Sequence, residues 1–202
     1  GSIVTAGAKP IFVDVNDDYN IDPKKIEEEI TKNTKAIMPV HWGGKVCEME
    51  KILKISRKYK IPIVEDSCHG ILAKYKNKFA GSFGDFGCFS LHPLKNLNVW
   101  GDGGFVIIKK KEHFKKMMLL RNHGLEGRNK NLIFGYNSRL DTLQACVANH
   151  LLKKIQFITN MRIKNANKFD NGLSEIDGLI VKKRNKDFKE VYHLYEFRIK
   201  NF

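Results

Sequence analysis

A lysine in apolar surroundings is the residue of this chain whose position most suggests chemistry. Lys95 follows Leu94, has Ser90 five positions before it, and precedes the glycine-rich turn 101–104. Lysine normally keeps its ammonium group in water, but desolvation or a nearby cation lowers the pKa and gives a nucleophilic amine that can form a Schiff base. Taken alone, Lys95 is better explained as an exposed loop residue, so the neighbouring motifs must decide.

Acidic and imidazole side chains follow two short apolar segments. Glu65–Asp66 comes directly after 61–64, with His69 three residues later, and His41 follows 34–40. In parallel sheets, ligands bind beyond the carboxyl ends of the strands, so both loops are candidates for a site. The alternatives are a helix cap for the aspartate and hydrogen-bonded loop residues for the two histidines. Neither loop is decisive by itself.

The rest of the chain alternates short apolar segments with amphipathic helices. This pattern is typical of an α/β fold with a mostly parallel sheet and helices on both faces. A small hairpin is expected at 74–79, and loose alternation after 187 predicts an antiparallel strand up to 202. We predict strands at 8–15, 34–40, 61–64, 86–91 and 105–108, and helices at 24–30, 49–59, 112–121 and 140–173.

Two of these helices carry apolar stripes. The long helix should bend near Gln156, and its stripe could pack on the sheet or against a second copy of the chain. The helix at 112–121 is expected to turn its apolar residues inward. Those residues are Phe114, Met117, Met118 and Leu120, and the stripe of the long helix consists of Leu140, Leu143, Val147, Leu151, Ile155 and Ile158.

Composition excludes several classes of function. No apolar run is long enough to span a membrane, and the four cysteines form no CxxC pair, which argues against a zinc site or a redox dithiol and fits reduced thiols in the cytoplasm. The net charge of +14 would suit a nucleic-acid binder. However, 29 of the 36 basic residues are lysines spread along the chain, and specific recognition of bases usually needs arginine. Anionic small molecules remain plausible partners.

Six motifs together resemble one family, the DegT/StrS sugar aminotransferases, and the likeness runs over essentially the whole chain. It implies the aspartate-aminotransferase-like fold of pyridoxal-phosphate (PLP) enzymes, called PLP fold type I, with a large domain over 1–185 and the start of a small C-terminal domain over 186–202. The motifs are Val-Glu-Asp at 64–66, Gly-Asp-Phe-Gly-Cys-Phe-Ser at 84–90, His-Pro-Leu-Lys-Asn at 92–96, Gly-Asp-Gly-Gly at 101–104, Arg-Asn-His-Gly at 121–124 and Gly-Tyr-Asn-Ser-Arg-Leu-Asp at 135–141.

The resemblance implies a role for each of five residues toward PLP. Lys95 corresponds to the lysine that binds the cofactor covalently and later moves protons at the substrate carbon. Asp66 corresponds to the carboxylate that keeps the pyridinium nitrogen protonated, and His69 to a residue beside the cofactor ring. Ser90 corresponds to a hydroxyl donor to the cofactor phosphate. Asn137 corresponds to a residue that reaches the phosphate in the neighbouring subunit, which implies a homodimer with shared active sites.

The implied reaction transfers an amino group, usually from glutamate, to a keto sugar carried by a nucleotide. Lys95 distinguishes this from related sugar dehydratases, which have histidine in its place. His193, in the segment 191–195 that resembles the entry to the small domain, is implied to contact substrate. A non-catalytic or regulatory relative of the same fold is the alternative, and a basic nucleic-acid binder is a third hypothesis.

The resemblance also implies missing parts. In the family, a Gly-Thr phosphate loop and an aromatic residue that stacks on the cofactor lie upstream of the point where this chain begins, and most of the small domain lies downstream. We therefore expect 191–195 to have little to pack on. Three explanations fit these missing parts: a natural truncation, an incomplete reading frame or a deliberately shortened chain. The isolated chain is expected to bind PLP weakly at best and to aggregate, whereas its full-length parent should be an active dimer.

Overall fold

The structure is a computed structural model that describes residues 1–200. The chain contains both helices and strands, with two short 3₁₀ turns at Glu27–Glu29 and Trp42–Gly44. The helices are α1 (Ser2–Thr5), α2 (Pro23–Ile26), α3 (Met49–Tyr59), α4 (Lys111–Leu120), α5 (Thr142–Leu152) and α6 (Ile155–Leu173). The strands are β1 (Val64–Asp66), β2 (Lys74–Tyr75), β3 (Lys78–Phe79), β4 (Phe86–Ser90), β5 (Gly104–Ile108), β6 (Leu125–Gly127), β7 (Lys130–Asn131), β8 (Leu179–Val181), β9 (Phe188–Lys189) and β10 (Phe197–Ile199).

The central sheet is mixed and has the order β1-β4-β5. Strand β1 runs parallel to β4, with Asp66 opposite Cys88, and β4 runs antiparallel to β5, with Ser90 opposite Gly104. Parallel strands end at the same edge of a sheet, so Asp66 and Ser90 both leave the sheet at one edge. The α/β fold class predicted from the sequence is confirmed.

Two predicted strands are reduced or absent. Residues 34–40 run alongside β1 but make only two isolated parallel bridges, because Pro39 and Pro62 lack the backbone N–H that a continuous ladder needs. The predicted strand at 8–15 is wrong. It makes one bridge through Val15, and Phe12 is 89% exposed, because no described strand lies beside it.

The main core lies between α3 and the sheet. Met49 and Ile52 of α3 are fully buried against Ile63, and the same core contains Val191 from the far end of the chain. The expectation that 191–195 has little to pack on is therefore wrong at Val191, which is 0% exposed. Strand β9 also pairs with β2 in a three-stranded sheet, so the C-terminal segment is attached to the main body.

Helix α4 does not turn its apolar residues inward as predicted. Phe114 and Met118 are exposed, and Met117 and Leu120 are only half-buried. Residues 104–107 of the neighbouring strand β5 are exposed as well. No element in residues 1–200 covers this face, so an amphipathic pattern alone could not place the residues in a core.

The predicted long helix is divided just before the expected bend. Helix α5 ends at Leu152 and α6 begins at Ile155. The stripe is divided too, because Ile155 packs with Leu91 and Val99 in a second core, whereas Leu143 is exposed. None of the helices within residues 1–200 has the length and apolar character needed to cross a bilayer. The last two residues of the predicted strand 187–202 and of the predicted domain 186–202 lie outside the described residues.

Candidate active site

Asp66 is held by its backbone where β1 ends. Its N–H donates to the Pro39 carbonyl at 2.9 Å, and its carbonyl accepts from His41 N–H at 3.0 Å. The carboxylate accepts from the backbone N–H of Cys68 at 3.0 Å. Burial, together with this carboxylate, raises the pKa of the Cys68 thiol to about 12. The carboxylate is therefore fixed in direction but only half-buried.

His69 is held by a glycine and by two aromatic neighbours. The Gly43 N–H donates to its Nδ1 atom at 3.3 Å, so in the neutral ring the proton is on Nε2. The ring centroid is 5.3 Å from that of Trp42 and 4.1 Å from that of His193. Burial lowers the pKa of His69, and the positive charge of Lys95 lowers it further.

Lys95 lies in a tight loop between β4 and the glycine turn. Its N–H donates to the His92 carbonyl at 2.8 Å, and its own carbonyl accepts from the Asn98 side-chain amide at 3.0 Å. The ends of the loop are closed by a hydrogen bond from Val99 N–H to the Leu91 carbonyl. The Lys95 side chain is half-buried. Its positive charge adds to the lowering of the pKa values of His69 and His193, which is caused mainly by burial, and partly offsets the raised pKa of the Cys68 thiol.

Ser90 enters this region from the end of β4. Its hydroxyl oxygen accepts from His92 N–H at 3.2 Å, which turns the chain out of the strand. A hydroxyl that accepts one hydrogen bond still has its own proton to donate. Ser90 is therefore available as a donor at the same sheet edge as Asp66.

His193 is placed by a close backbone approach. Tyr192, just before it, has a left-handed backbone (φ 49°), and the Tyr192 carbonyl accepts from Arg162 Nη1 at 2.9 Å. A Cβ atom at Gly44 would lie 2.9 Å from Val191 Cγ2 and 3.0 Å from the His193 nitrogen, so only glycine allows the two segments to meet.

The His193 ring has one unsatisfied polar atom. Its Nδ1 atom is buried and has no hydrogen-bond partner within the described part of the chain. Burial lowers the pKa of His193 to about 4, and the neighbouring His69 and Lys95 add to the shift. At neutral pH the ring is thus uncharged.

Asn137 is in a different segment. It is exposed, forms a bridge with Asn122, and accepts a hydrogen bond from Arg139 Nε at 3.2 Å. The structure thus brings Asp66, His69 and Lys95 together, with Ser90 at the same edge, whereas the contacts of Asn137 are made elsewhere.

Sequence reasoning gave no role to the residues that assemble this site. Gly43 orients His69, Gly44 admits the segment that carries His193, and Arg162 holds the strained Tyr192. The one local signal was the consecutive glycine pair after a predicted strand, which indicates close approach of another backbone. Arg162 gave no signal, because its partner is 30 residues away.

The described elements thus bring an amine, a carboxylate, an imidazole and a hydroxyl to one edge of an α/β sheet. These are the kinds of group that covalent chemistry between a lysine and a carbonyl compound requires. The chain belongs to the DegT/DnrJ/EryC1/StrS aminotransferase family, whose sequence model matches residues 1–202. The resemblance inferred from the six motifs is confirmed.

Three relatives that share 32% to 42% of their aligned residues with the chain illustrate the family. A pleiotropic regulatory protein of Geobacillus stearothermophilus is 38% identical over 98% of this chain and 54% of its own length. A UDP-N-acetyl-3-dehydro-alpha-D-glucosamine 3-aminotransferase of Acidithiobacillus ferrooxidans is 42% identical over 72% of this chain and 40% of its own. The crystal structure of NtdA from Bacillus subtilis with bound cofactor PMP superposes with a TM-score of 0.87 at 32% identity, over 98% of this chain and 46% of that one. The chain thus spans about half the length of the relatives it matches.

Proposed function

We propose that this chain carries the cofactor-binding centre of a PLP-dependent aminotransferase that transfers an amino group from glutamate to a keto sugar linked to a nucleotide. The observation that carries the proposal is the grouping of Lys95, Asp66 and His69 at one sheet edge in a chain of this family. The relative that acts on a UDP-linked dehydro sugar and the solved structure that holds PMP, the amino form of PLP, support the substrate class and the cofactor.

The residues present fit PLP. The half-buried carboxylate of Asp66 is suited to pair with the pyridinium nitrogen, and the free hydroxyl proton of Ser90 is suited to a phosphate oxygen. The neutral ring of His69 would pack beside the cofactor ring. When bound, PLP supplies an electron sink for the pair of electrons left by a broken C–H bond.

The chain's own residues then position groups and move protons. Lys95 would bind the cofactor covalently when idle and, once released, carry a proton from and to the reacting carbon through its Nζ atom. His193, neutral and with Nδ1 unpaired, would accept or donate one hydrogen bond to a substrate hydroxyl or carboxylate.

The remaining parts of the proposal concern assembly and location. Asn137 is exposed, which allows it to reach the phosphate in a partner subunit, and we propose a homodimer on that basis. We also propose a large domain over 1–185 and the start of a small domain over 186–202. Within residues 1–200 all four cysteines are free thiols, which supports the cytoplasm as the compartment.

A second candidate is a regulatory relative that keeps the fold without catalysis. It is favoured by the name of the pleiotropic regulatory protein that is 38% identical to the chain. The presence of Lys95 favours the enzyme, since a protein with no covalent cofactor chemistry has no need of a half-buried amine at this point.

The two candidates are separated by adding PLP to the full gene product. An enzyme should show a new visible absorption band, and borohydride reduction followed by peptide mapping should place the reduced cofactor on Lys95. The Lys95→Ala variant should lose the adduct and at least about 10³-fold in amination of a panel of keto sugars. The exposed Lys110→Ala variant is the matched control and should behave as wild type. Absence of any adduct on Lys95 would favour the regulatory relative.

A further inference from the structure

Glu65, the residue before Asp66, has a completely buried carboxylate that accepts four hydrogen bonds. Its Oε2 atom accepts from His41 Nε2 and from Gly81 N–H, both at 2.8 Å. Its Oε1 atom accepts from Phe83 N–H at 2.7 Å and from Gly84 N–H. Both oxygens therefore have two donors each, which is close to the full capacity of a carboxylate.

The partner histidine acts as a neutral donor. The N–H of Cys47 donates to His41 Nδ1 at 3.2 Å, so Nδ1 has no proton and Nε2 must carry one. That proton points to Glu65. Both side chains are 0% exposed, and the negative charge is stabilised by oriented donors.

These four hydrogen bonds connect the loops that carry the proposed site. Successive side chains on a strand point to opposite faces, so anchoring Glu65 on the inner face fixes the direction of Asp66 on the other. His41 leads into the turn whose Gly43 N–H holds His69. The turn 81–84 leads into β4, which ends at Ser90.

The turn 81–84 has no room to adjust. A Cβ atom at Gly81 would lie 2.5 Å from the Phe89 ring, and one at Gly87 would lie 2.1 Å from the Gly81 carbonyl oxygen. A shift of this turn is therefore transmitted to β4 rather than absorbed locally.

We propose that Glu65 is a positioning residue for the reaction, in that its buried charge fixes Asp66 and His69 relative to Lys95. The inference rests on the proposed aminotransferase function. Glu65 itself would touch neither cofactor nor substrate. It would act through Asp66 and His69, which are proposed to contact the cofactor.

The substitution Glu65→Gln tests the need for a carboxylate. Either orientation of the amide turns an NH₂ group toward two donors. If the NH₂ replaced Oε2, His41 would have to become an acceptor at Nε2, which would put a proton on Nδ1 against the Cys47 N–H. No tautomer resolves both conflicts, so the loops must move.

The measurements are made on the full gene product. Without cofactor, the ¹⁵N shifts of the His69 ring report its hydrogen bond to Gly43. We expect Glu65→Gln to move these shifts, to raise the PLP dissociation constant about 10- to 100-fold, and to lower kcat while the KM for the keto sugar stays within about twofold. Ile52→Val, which leaves a small cavity at the buried face of α3, is the control for lost stability. It should leave the His69 shifts, the PLP dissociation constant and kcat unchanged.

A second pair of variants covers the case in which Glu65→Gln does not fold. His41→Leu removes one donor of the four and should change the same readouts in the same direction. His41→Gln keeps one donor and one acceptor, as the neutral histidine has, and should restore values close to wild type.

The inference is overturned if Glu65→Gln or His41→Leu loses stability as Ile52→Val does, yet keeps the His69 shifts and the PLP affinity within twofold of wild type. If wild-type protein binds no PLP, the proposed function fails. The ¹⁵N shifts then still decide whether Glu65 positions His69.

Discussion

The loop cluster around Asp66 and the outer face of β5 and α4 are built in opposite ways. In the cluster, Glu65 is 0% exposed and each of its carboxylate oxygens accepts two hydrogen bonds. On the outer face, Val106 and Phe114 are 38% and 52% exposed, and no element in residues 1–200 buries them. Hydrogen bonds between residues far apart in the sequence fix the loop cluster. The outer face of β5 and α4 has an apolar surface that no other element within residues 1–200 covers.

This difference shows which proposed site residues have a geometry that is fixed by contacts within this chain. Asp66, His69 and Lys95, which are proposed to bind the cofactor, all lie in loops. The backbones of these loops are fixed by hydrogen bonds and by close contacts at glycines. Asn137, the residue proposed to act across a dimer, lies on an exposed segment instead. Variants in the cluster should therefore have large effects, and matched variants on exposed positions should have small ones.

Among variants that compare these two regions, the largest effect is expected for Asp66→Asn. A neutral amide cannot hold the pyridinium proton, so cofactor should remain bound while transamination slows about 10²- to 10³-fold. The measurement is kcat for amination by the full gene product together with its PLP content. Phe134→Ala, which removes a fully exposed ring, is the control. Near-normal turnover in Asp66→Asn would remove Asp66 from the proposed role.

Gly44→Ala should break the contact between the cluster and the C-terminal segment. The added Cβ would lie 2.9 Å from Val191 Cγ2, and the backbone at Gly44 is left-handed (φ 100°). We expect a loss of about 1 to 3 kcal/mol in the free energy of unfolding, measured by urea titration. Gly172→Ala in α6, where a Cβ would meet nothing within 4 Å, should instead stabilise by up to about 1 kcal/mol. Equal effects at the two positions would contradict the close-approach argument.

Ser90→Ala should weaken PLP binding by about 1 to 2 kcal/mol, which is one hydrogen bond to a charged group. Equilibrium dialysis or titration of cofactor absorbance gives the dissociation constant. Ser174→Ala, an exposed serine at the end of α6, provides the comparison. An unchanged affinity in Ser90→Ala would count against a phosphate contact at this position.

The smallest effect concerns pH. The pKa of His193 is about 4 in the folded chain and near 6.5 when unfolded, so between these values the unfolded state binds the extra proton. Stability should therefore decrease as pH falls from about 6.5 to about 4. His193→Gln should flatten this part of the curve by about 1 kcal/mol, a value reduced for the partial exposure of the ring. His150→Gln, which changes an exposed histidine, should leave the slope as in wild type.

Local patterns in the sequence determined much of the scaffold. The helical spacing over 49–59 predicted α3 to the residue, and the hairpin at 74–79 was also predicted from its own residues. The strand predicted at 86–91 is one residue longer than β4. The motifs around Lys95 and Asp66 identified the family because chemistry restricts residue type at each of those positions. Such features depend on neighbours a few residues away, which a sequence displays directly.

Only the tertiary structure decided which surfaces are buried and which groups meet. The burial of Val191, the exposure of Phe114 on α4, and the pairing of Glu65 with His41 all depend on segments that are distant in the chain. Hydrophobic pattern shows that a face is apolar, but burial requires another element to lie against it, and a hydrogen bond requires two atoms within about 3 Å. Those conditions are set by the packing of the whole domain, which is why the sequence could suggest candidate site residues but gave no sign of the contacts that hold them in place.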